Sequence, residues 1–285
     1  MPDLPRQALI SIFLAFSLLA NAQSEELPTD NLLLQVRSNT GEFLAVADID
    51  HARLAAAAGV HSMSPSRVLI FSSPATNTRL MQLDPKIGLD LPARTLAYQD
   101  EETSRLTYAS VEFLAARYGL AAEDLASYAA DMRQAVDGIS EDSLSAVTAK
   151  GVTAGYGIIE VTSDFSIEET RQRIHEAVMS QGDTVWFGDV DYQADARSEG
   201  VDIPGSRLLL FGGPAPGAMA MTGFPRLGLD AFCQKVLLLE GDDGRVRLYF
   251  NDIVALAELH YGSSNQPQAV INQRMRATLE GAVTK

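Results

Sequence analysis

Ser206–Asp230 reads SRLLLFGGPAPGAMAMTGFPRLGLD, and Ser66–Asp90 reads SRVLIFSSPATNTRLMQLDPKIGLD. A shift of 140 positions superposes Arg67 on Arg207, Leu69 on Leu209, Phe71 on Phe211 and Pro74 on Pro214. The same shift superposes Met81 on Met221, Pro85 on Pro225, and Gly88-Leu89-Asp90 on Gly228-Leu229-Asp230. A gapless match of this kind marks duplication of a whole unit, and so long a period gives two domains rather than a solenoid. With 285 residues and 46% hydrophobic content, the chain can fill two ordinary cores. The two units are expected to pack about a pseudo-twofold axis, as a covalent version of a dimer, in a monomeric protein.

The second unit carries the clearer pattern. Gly157–Val161 reads as a strand, and Ser166 with Glu169 three residues on is a capping-box signature opening a helix that Gly182 terminates. Thr184–Val190 reads as a strand and Asp191–Gly200 as a polar connection or short helix. Arg207–Phe211 is a continuous apolar run suited to a buried strand, ended by Gly212-Gly213-Pro214. Lys235–Glu240 and Arg245–Phe250 flank Gly241-Asp242-Asp243-Gly244, a hairpin signal, and Asn251 or Asp252 caps the next helix. Pro267–Val283 closes the chain as an amphipathic helix docked on its own domain, with Val270, Ile271, Met275 and Leu279 on one stripe. This order gives an α+β fold, antiparallel sheets with helices on one face.

The first unit reads as lacking the early helix. Leu32–Val36 and Phe43–Ala47 both look like strands, and only Arg37–Glu42 lies between them, with Asn39-Thr40-Gly41 as a tight turn. Ala121–Val136 and Ser140–Lys150 read as helices, one of them expected to cover the sheet face left bare. The expected boundaries are a signal peptide at 1–22, a first repeat domain at 23–120, a helical linker at 121–155 and a second repeat domain at 156–285.

Arg6, the apolar run Ala8–Ala20 and Ala20-Asn21-Ala22 form an export signal with cleavage expected after Ala22, so the mature chain is expected to be periplasmic or secreted. The formal charge of −15 repels phosphate backbones and anionic lipid, which argues against nucleic-acid and membrane partners. Cys233 is the only cysteine, so no intrachain disulfide or cysteine-based zinc cluster can form, and its strand-like setting reads as a buried inert thiol.

These residues resemble the bacterial and archaeal domain of unknown function numbered 302. In that family a strand ending near an Asp-His pair leads into small residues and a Gly. Asp50-His51-Ala52 with Gly59 fits this, whereas the second unit has Asp191-Tyr192 with Gly200. The family's Phe-Gly-Asn-Pro looks like Phe211-Gly212-Gly213-Pro214, and more weakly like Phe71-Ser72-Ser73-Pro74. Its Met-containing turn before Leu-Asp-Leu-Pro is similar to Met81 through Leu89-Asp90-Leu91-Pro92; the second unit keeps Met221 and Leu229-Asp230. The resemblance implies two β-α-β₄-α-like domains with a TATA-binding-protein-like layout, and it implies no activity.

Signatures of common catalysts are absent: no Gly-x₄-Gly-Lys-Ser/Thr, His-Glu-x-x-His, Gly-x-Ser-x-Gly or Cys-x-x-Cys occurs. No cofactor is expected. The candidate ligand residues are His51, Asp50, Met81, Asp90, Asp191, Tyr192, Met221 and Asp230, although Asp90 and Asp230 also read as turn formers. His51, oriented by Asp50, is the candidate catalytic base of a hydrolase or isomerase. Adjacent strand residues point to opposite faces, so the pair needs a bend to converge. His51, His61 and Met63 form the candidate metal set, of a kind suited to copper. His175 and His260 read as surface or helix-terminal residues, and Gly212–Gly217 as a plain turn rather than an anion cradle. The leading reading is a non-enzymatic exported protein that binds a small ligand or serves as an accessory. The alternatives are the His51 enzyme and a structural or protein-interaction module.

Overall fold

The computed structural model describes residues 28–285; the signal-peptide reading of 1–22 lies outside them. The first copy runs α1 (Pro28–Asn39), β1 (Leu44–Asp50), α2 (His51–Ala57), β2 (Ser66–Ser72), α3 (Pro74–Leu83), β3 (Arg94–Asp100), β4 (Thr103–Ala109), α4 (Val111–Tyr118), α5 (Ala126–Ala135) and β5 (Leu144–Val147). The second runs β6 (Ile158–Ser163), α6 (Ile167–Met179), β7 (Val185–Asp191), α7 (Tyr192–Ser198), β8 (Ser206–Gly212), α8 (Pro214–Met221), β9 (Gln234–Glu240), β10 (Val246–Asn251), α9 (Ile253–Tyr261) and α10 (Gln266–Val283). Short 3₁₀ turns at Pro85–Leu89 and Pro225–Gly228 hold the same place in each copy. Among the described residues no helix is long and apolar enough to cross a membrane.

Each copy builds a five-stranded sheet, ordered β1-β2-β3-β4-β5 in one and β6-β10-β9-β8-β7 in the other. Every pairing is antiparallel except β4 with β5. In the second copy α6 and α10 cover one face, where Ile174, Val178, Met275 and Leu279 meet Leu209, Phe211, Val236 and Leu238. The alternate residues Leu208, Leu210, Leu237 and Leu239 point the other way. They join one buried cluster with Val68, Ile70 and Leu96 of the first sheet. Both faces are therefore covered, which is why β2 and β8 read as unbroken apolar runs rather than alternating ones. Val270 is the exception on the C-terminal stripe, since it is exposed while Ile271, Met275 and Leu279 are buried.

The first copy departs from the sequence reading at both ends. Leu32–Val36 is not a strand but the middle of helix α1, so the early helix is present. A three-leucine run cannot be told from a strand by its own periodicity. The wider spacing decides: Thr29, Leu33, Val36 and Thr40 are the buried positions, three to four residues apart. Among the described residues no strand precedes this helix. Ser140–Lys150, expected to be helical, instead gives a 3₁₀ turn and β5, so part of the 121–155 linker belongs to the first sheet. Helix α5 does pack on the first core, burying Tyr128, Met132 and Ala135 beside α1, but it shares that face with α1. Gln134 donates to the Asn39 carbonyl at 3.0 Å and Asn39 to the Ala135 carbonyl at 3.1 Å, which ties the two helices together.

The Gly212–Gly217 run is likewise not a plain turn, because helix α8 begins at Pro214. Proline at the first helical position has its φ preset and no N–H to leave unpaired. Pro74 starts α3 in the same way.

Candidate functional site

The copies meet through matched pairs of elements: α2 lies against α8 as α3 lies against α7. The 3₁₀ turn of each copy lies against the first hairpin strand of the other, Pro85–Leu89 on β9 and Pro225–Gly228 on β3. Two glycines permit this approach. A Cβ on Gly228 would fall 2.7 Å from Ser66 Oγ and 2.9 Å from both His51 Cδ2 and Leu96 Cδ1. A Cβ on Gly88 would fall 3.0 Å from Leu237 Cδ1 and 3.2 Å from Tyr192 Cε2.

Just beyond each glycine stands an aspartate, and the two aspartates anchor a buried polar centre fed by both copies. Asp90 Oδ1 accepts from Arg94 Nη2 at 2.7 Å, and Asp90 Oδ2 accepts from Arg117 Nη1 at 2.6 Å and the Tyr118 hydroxyl at 2.8 Å. Asp230 Oδ2 lies 2.9 Å from His260 Nε2, and Lys235 Nζ reaches across to within 4.0 Å of Asp90 Oδ1. The two halves correspond part for part. Arg94 pairs with Ile70 in the sheet as Lys235 pairs with Leu210, so the two cations hold equivalent register positions. Tyr118 and His260 are each the eighth residue of the helix after the hairpin, and each bonds its own aspartate.

Arg117 has no counterpart, because the seventh residue of α9 is Leu259. Its guanidinium also donates to the Tyr156 carbonyl (3.0 Å), the Gly157 carbonyl (3.3 Å) and Asn251 Oδ1 (2.7 Å). Asn251 in turn donates to the Asp230 carbonyl at 2.8 Å. The first copy's arginine thus holds the chain entering β6 and the second copy's half of the centre. It is fully buried, with a relative exposure of 0%.

Burial alone would raise the Asp90 carboxyl, but Arg117, Arg94, Lys235 and the Tyr118 hydroxyl outweigh it and hold it well below the usual carboxylate range. Asp230 is lowered against the same burial, chiefly by His260. Burial, with repulsion from Arg94, pulls the Lys235 ammonium down to about 7 against the attraction of Asp90, Asp230 and Cys233. Four buried atoms here have no protein partner: Lys235 Nζ, Arg94 Nε, Arg94 Nη1 and Asp230 Oδ1. Buried polar atoms in folded proteins are nearly always hydrogen-bonded, so four together set this centre apart.

The other sequence candidates fall outside this centre. Asp50 caps α2, accepting from Arg53 N at 2.8 Å, and no hydrogen bond joins it to His51. His51 is buried over Gly228, and burial lowers its imidazole to about 4, with the Gly228 backbone opposing the shift. Tyr192 is its counterpart: its hydroxyl donates to the Gly88 carbonyl at 2.9 Å, while Asp191 caps α7 and pairs with Arg207 at 3.1 Å. His51 and Tyr192 therefore act as plugs in the junction. Met81 packs in the core beside Gly88, and Met221 lines a small groove with His51, Met63 and Cys233. His61 is exposed on the loop after α2, away from that groove's lining. Among the described residues no group of three His, Cys, Asp or Glu is placed to hold a metal. Cys233 is buried, and burial pushes its thiol up to about 11. His175 meets Trp186 edge-on at 4.7 Å, whereas His260 is buried on Asp230 rather than at the surface.

Fold and site together define a tandem α+β protein whose two lobes share one buried centre at a pseudo-twofold junction. The family model described as domain of unknown function DUF302 matches residues 32–141 and 159–284, and the chain belongs to that family. It is similar to the fluoride-specific ion channel FluC 1 of Brucella suis, 33% identical over 129 residues, which are 45% of this chain and 49% of the relative. FluC 2 of Brucella melitensis matches at 33% over 129 residues and 46% of its length. The chain thus spans about half the length of the curated relatives it matches. A crystal structure of an uncharacterized conserved DUF302 protein from Bacillus stearothermophilus aligns with a TM-score of 0.39 at 16% identity, covering 45% of this chain and 98% of that one.

Proposed function

We propose that this is a non-enzymatic, exported binding or accessory protein whose small-ligand site is the buried centre between the two copies. One observation carries the reading: Lys235 Nζ, Arg94 Nε and Nη1, and Asp230 Oδ1 are buried and unpaired where the equivalent cations and aspartates of both copies converge. Each unmet polar atom weakens the fold by about 1–3 kcal/mol, so a centre with no guest would be a liability that an apolar junction avoids. The similar Brucella proteins are fluoride-specific ion channels, which makes fluoride handling the first physiological setting to test.

The test is native mass spectrometry of the protein recovered from cells without refolding, beside its Lys235→Met variant. The reading expects a stoichiometric extra mass in the parent that the variant loses. A bare monomer in both sinks it and leaves the protein-interaction alternative.

A further inference from the structure

We infer that the ligand of the junction centre is one small monoanion, held by the Lys235 ammonium and an unspent N–H of Arg94. This names the ligand class of the site proposed above and rests on that reading.

The charges give the sign and the number. Arg94, Arg117 and Lys235 supply three cations, and Asp90 and Asp230 supply two carboxylates, an excess of one positive charge before His260 is counted. An uncompensated charge in a low-dielectric interior is strongly disfavoured. The centre has two ways to remove it: Lys235 loses its proton, or one anion enters.

The free donors give the place. Arg117 spends four of its five N–H donors on protein acceptors, so it has little to offer a guest. Arg94 spends only Nη2, on Asp90 Oδ1, and Lys235 spends nothing within hydrogen-bond distance. Both cations approach that same oxygen, Arg94 Nη2 at 2.7 Å and Lys235 Nζ at 4.0 Å, which places the ammonium beside the guanidinium. Asp230 Oδ1 is buried and unpaired and its carboxylate acts on Lys235, which limits the guest to a single negative charge. A halide or a hydrogen-bearing oxyanion such as bicarbonate has this chemistry, and only the second could also donate to Asp230.

The choice between proton loss and anion entry links binding to pH. The groups facing Lys235 are Arg94, Asp90, Asp230 and Cys233, and against them its ammonium titrates at about 7. The cationic form is the one that binds, so affinity is flat below that value and falls about tenfold per pH unit above it. Conversely, a bound anion raises the Lys235 pKa and draws a proton from solvent.

The experiment is calorimetric titration of the whole protein with sodium fluoride, sodium chloride and sodium bicarbonate, about one pH unit either side of 7, in buffers of different ionisation enthalpy. Expected are one saturable site for at least one anion, tighter on the acid side, and net proton uptake. Lys235→Met should weaken it at least about tenfold, and Lys86→Met, which changes an exposed lysine paired only with Asp84, should leave it unchanged. If Lys235→Met does not fold, the Lys235 pKa followed by NMR in the parent protein replaces it: the anion must raise that pKa. Halides binding without bicarbonate, or the reverse, identifies which source fills the site. No saturable anion at either pH, or equal binding in Lys235→Met, overturns the inference. A neutral or cationic mass that native spectrometry shows lost in Lys235→Met would then leave the binding reading standing. No mass of any kind would remove both.

Discussion

The two copies fill the same slot beside their hairpin with strands that arrive from opposite ends of the sequence. In the second copy β6 precedes its helix and lies antiparallel to β10. In the first copy β5 comes after α5 and lies parallel to β4. A parallel partner needs a long crossover, and here α4 and α5 supply it. The slot itself is what the fold requires, because the hairpin strand beside it would otherwise present unpaired N–H and C=O groups at an edge. Strand direction is secondary, which is how a duplicated unit can trade one end of its chain for the other. The trade has a consequence at the centre: the segment after β5 turns back past Arg117, whose guanidinium takes the Tyr156 and Gly157 carbonyls. The arginine without a counterpart sits where the first copy's last strand hands over to the second copy's first.

That asymmetry can be broken most severely at Arg117. Arg117→Met leaves the Asp90 carboxylate short of its strongest partner and should cost about 3–5 kcal/mol, read as a lowered urea midpoint. Changing the equivalent Leu259 to Met removes no charge and should cost less than about 1.5 kcal/mol. Equal losses at the two positions would mean that Arg117 serves as packing rather than as the tie between copies.

The junction plugs offer a second contrast, through pH. His51 is held near 4 in the folded chain against an ordinary value of 6.5, so the unfolded state binds the extra proton between those values. Its contribution to stability is fully present above about 6.5 and is lost as pH falls toward 4, up to a few kcal/mol. Tyr192, at the matching position, does not titrate in that window. His51→Phe should flatten the slope of unfolding free energy against pH between these limits. An unchanged slope would show that other groups carry the acid response.

The smallest of the three effects belongs to the glycines. Gly228→Ala puts a methyl group under 3.0 Å from three atoms of the other copy and should cost about 1–3 kcal/mol. Gly88→Ala meets movable side-chain ends at 3.0 Å or beyond and should cost less. The opposite ranking in thermal melts would mean that the junction is looser on the Gly228 side than the packing shows.

The site was half legible before the fold was known. Asp90 and Asp230 stand out because each follows a repeated Gly-Leu, and the 140-residue shift aligns them. Their partners could not be found the same way. That shift lays Arg94 over Gln234, whereas sheet register matches Arg94 with Lys235. One extra residue between the second aspartate and its strand hides the equivalence. Tyr118 and His260 share no chemistry that sequence comparison scores, and only their common bond to an aspartate relates them. His51 misled for the opposite reason. Asp-His at a strand end looks catalytic, but the fold uses the aspartate as a helix cap and buries the imidazole against a glycine.

Sequence by itself determined the duplication, most of the strands, the hairpin, the capped helices and the inert cysteine, because each rests on local periodicity or turn chemistry. Tertiary structure decided the rest. Whether Leu32–Val36 is helix or strand, and whether residues 144–147 are helix or strand, depends on which surface each segment must cover or complete. Apolar runs this short satisfy either geometry, and only the neighbouring sheet discriminates between them. The centre is tertiary in the same sense. Its residues stand up to 170 positions apart, from Asp90 to His260, and nothing local makes a buried lysine and a buried arginine share one aspartate.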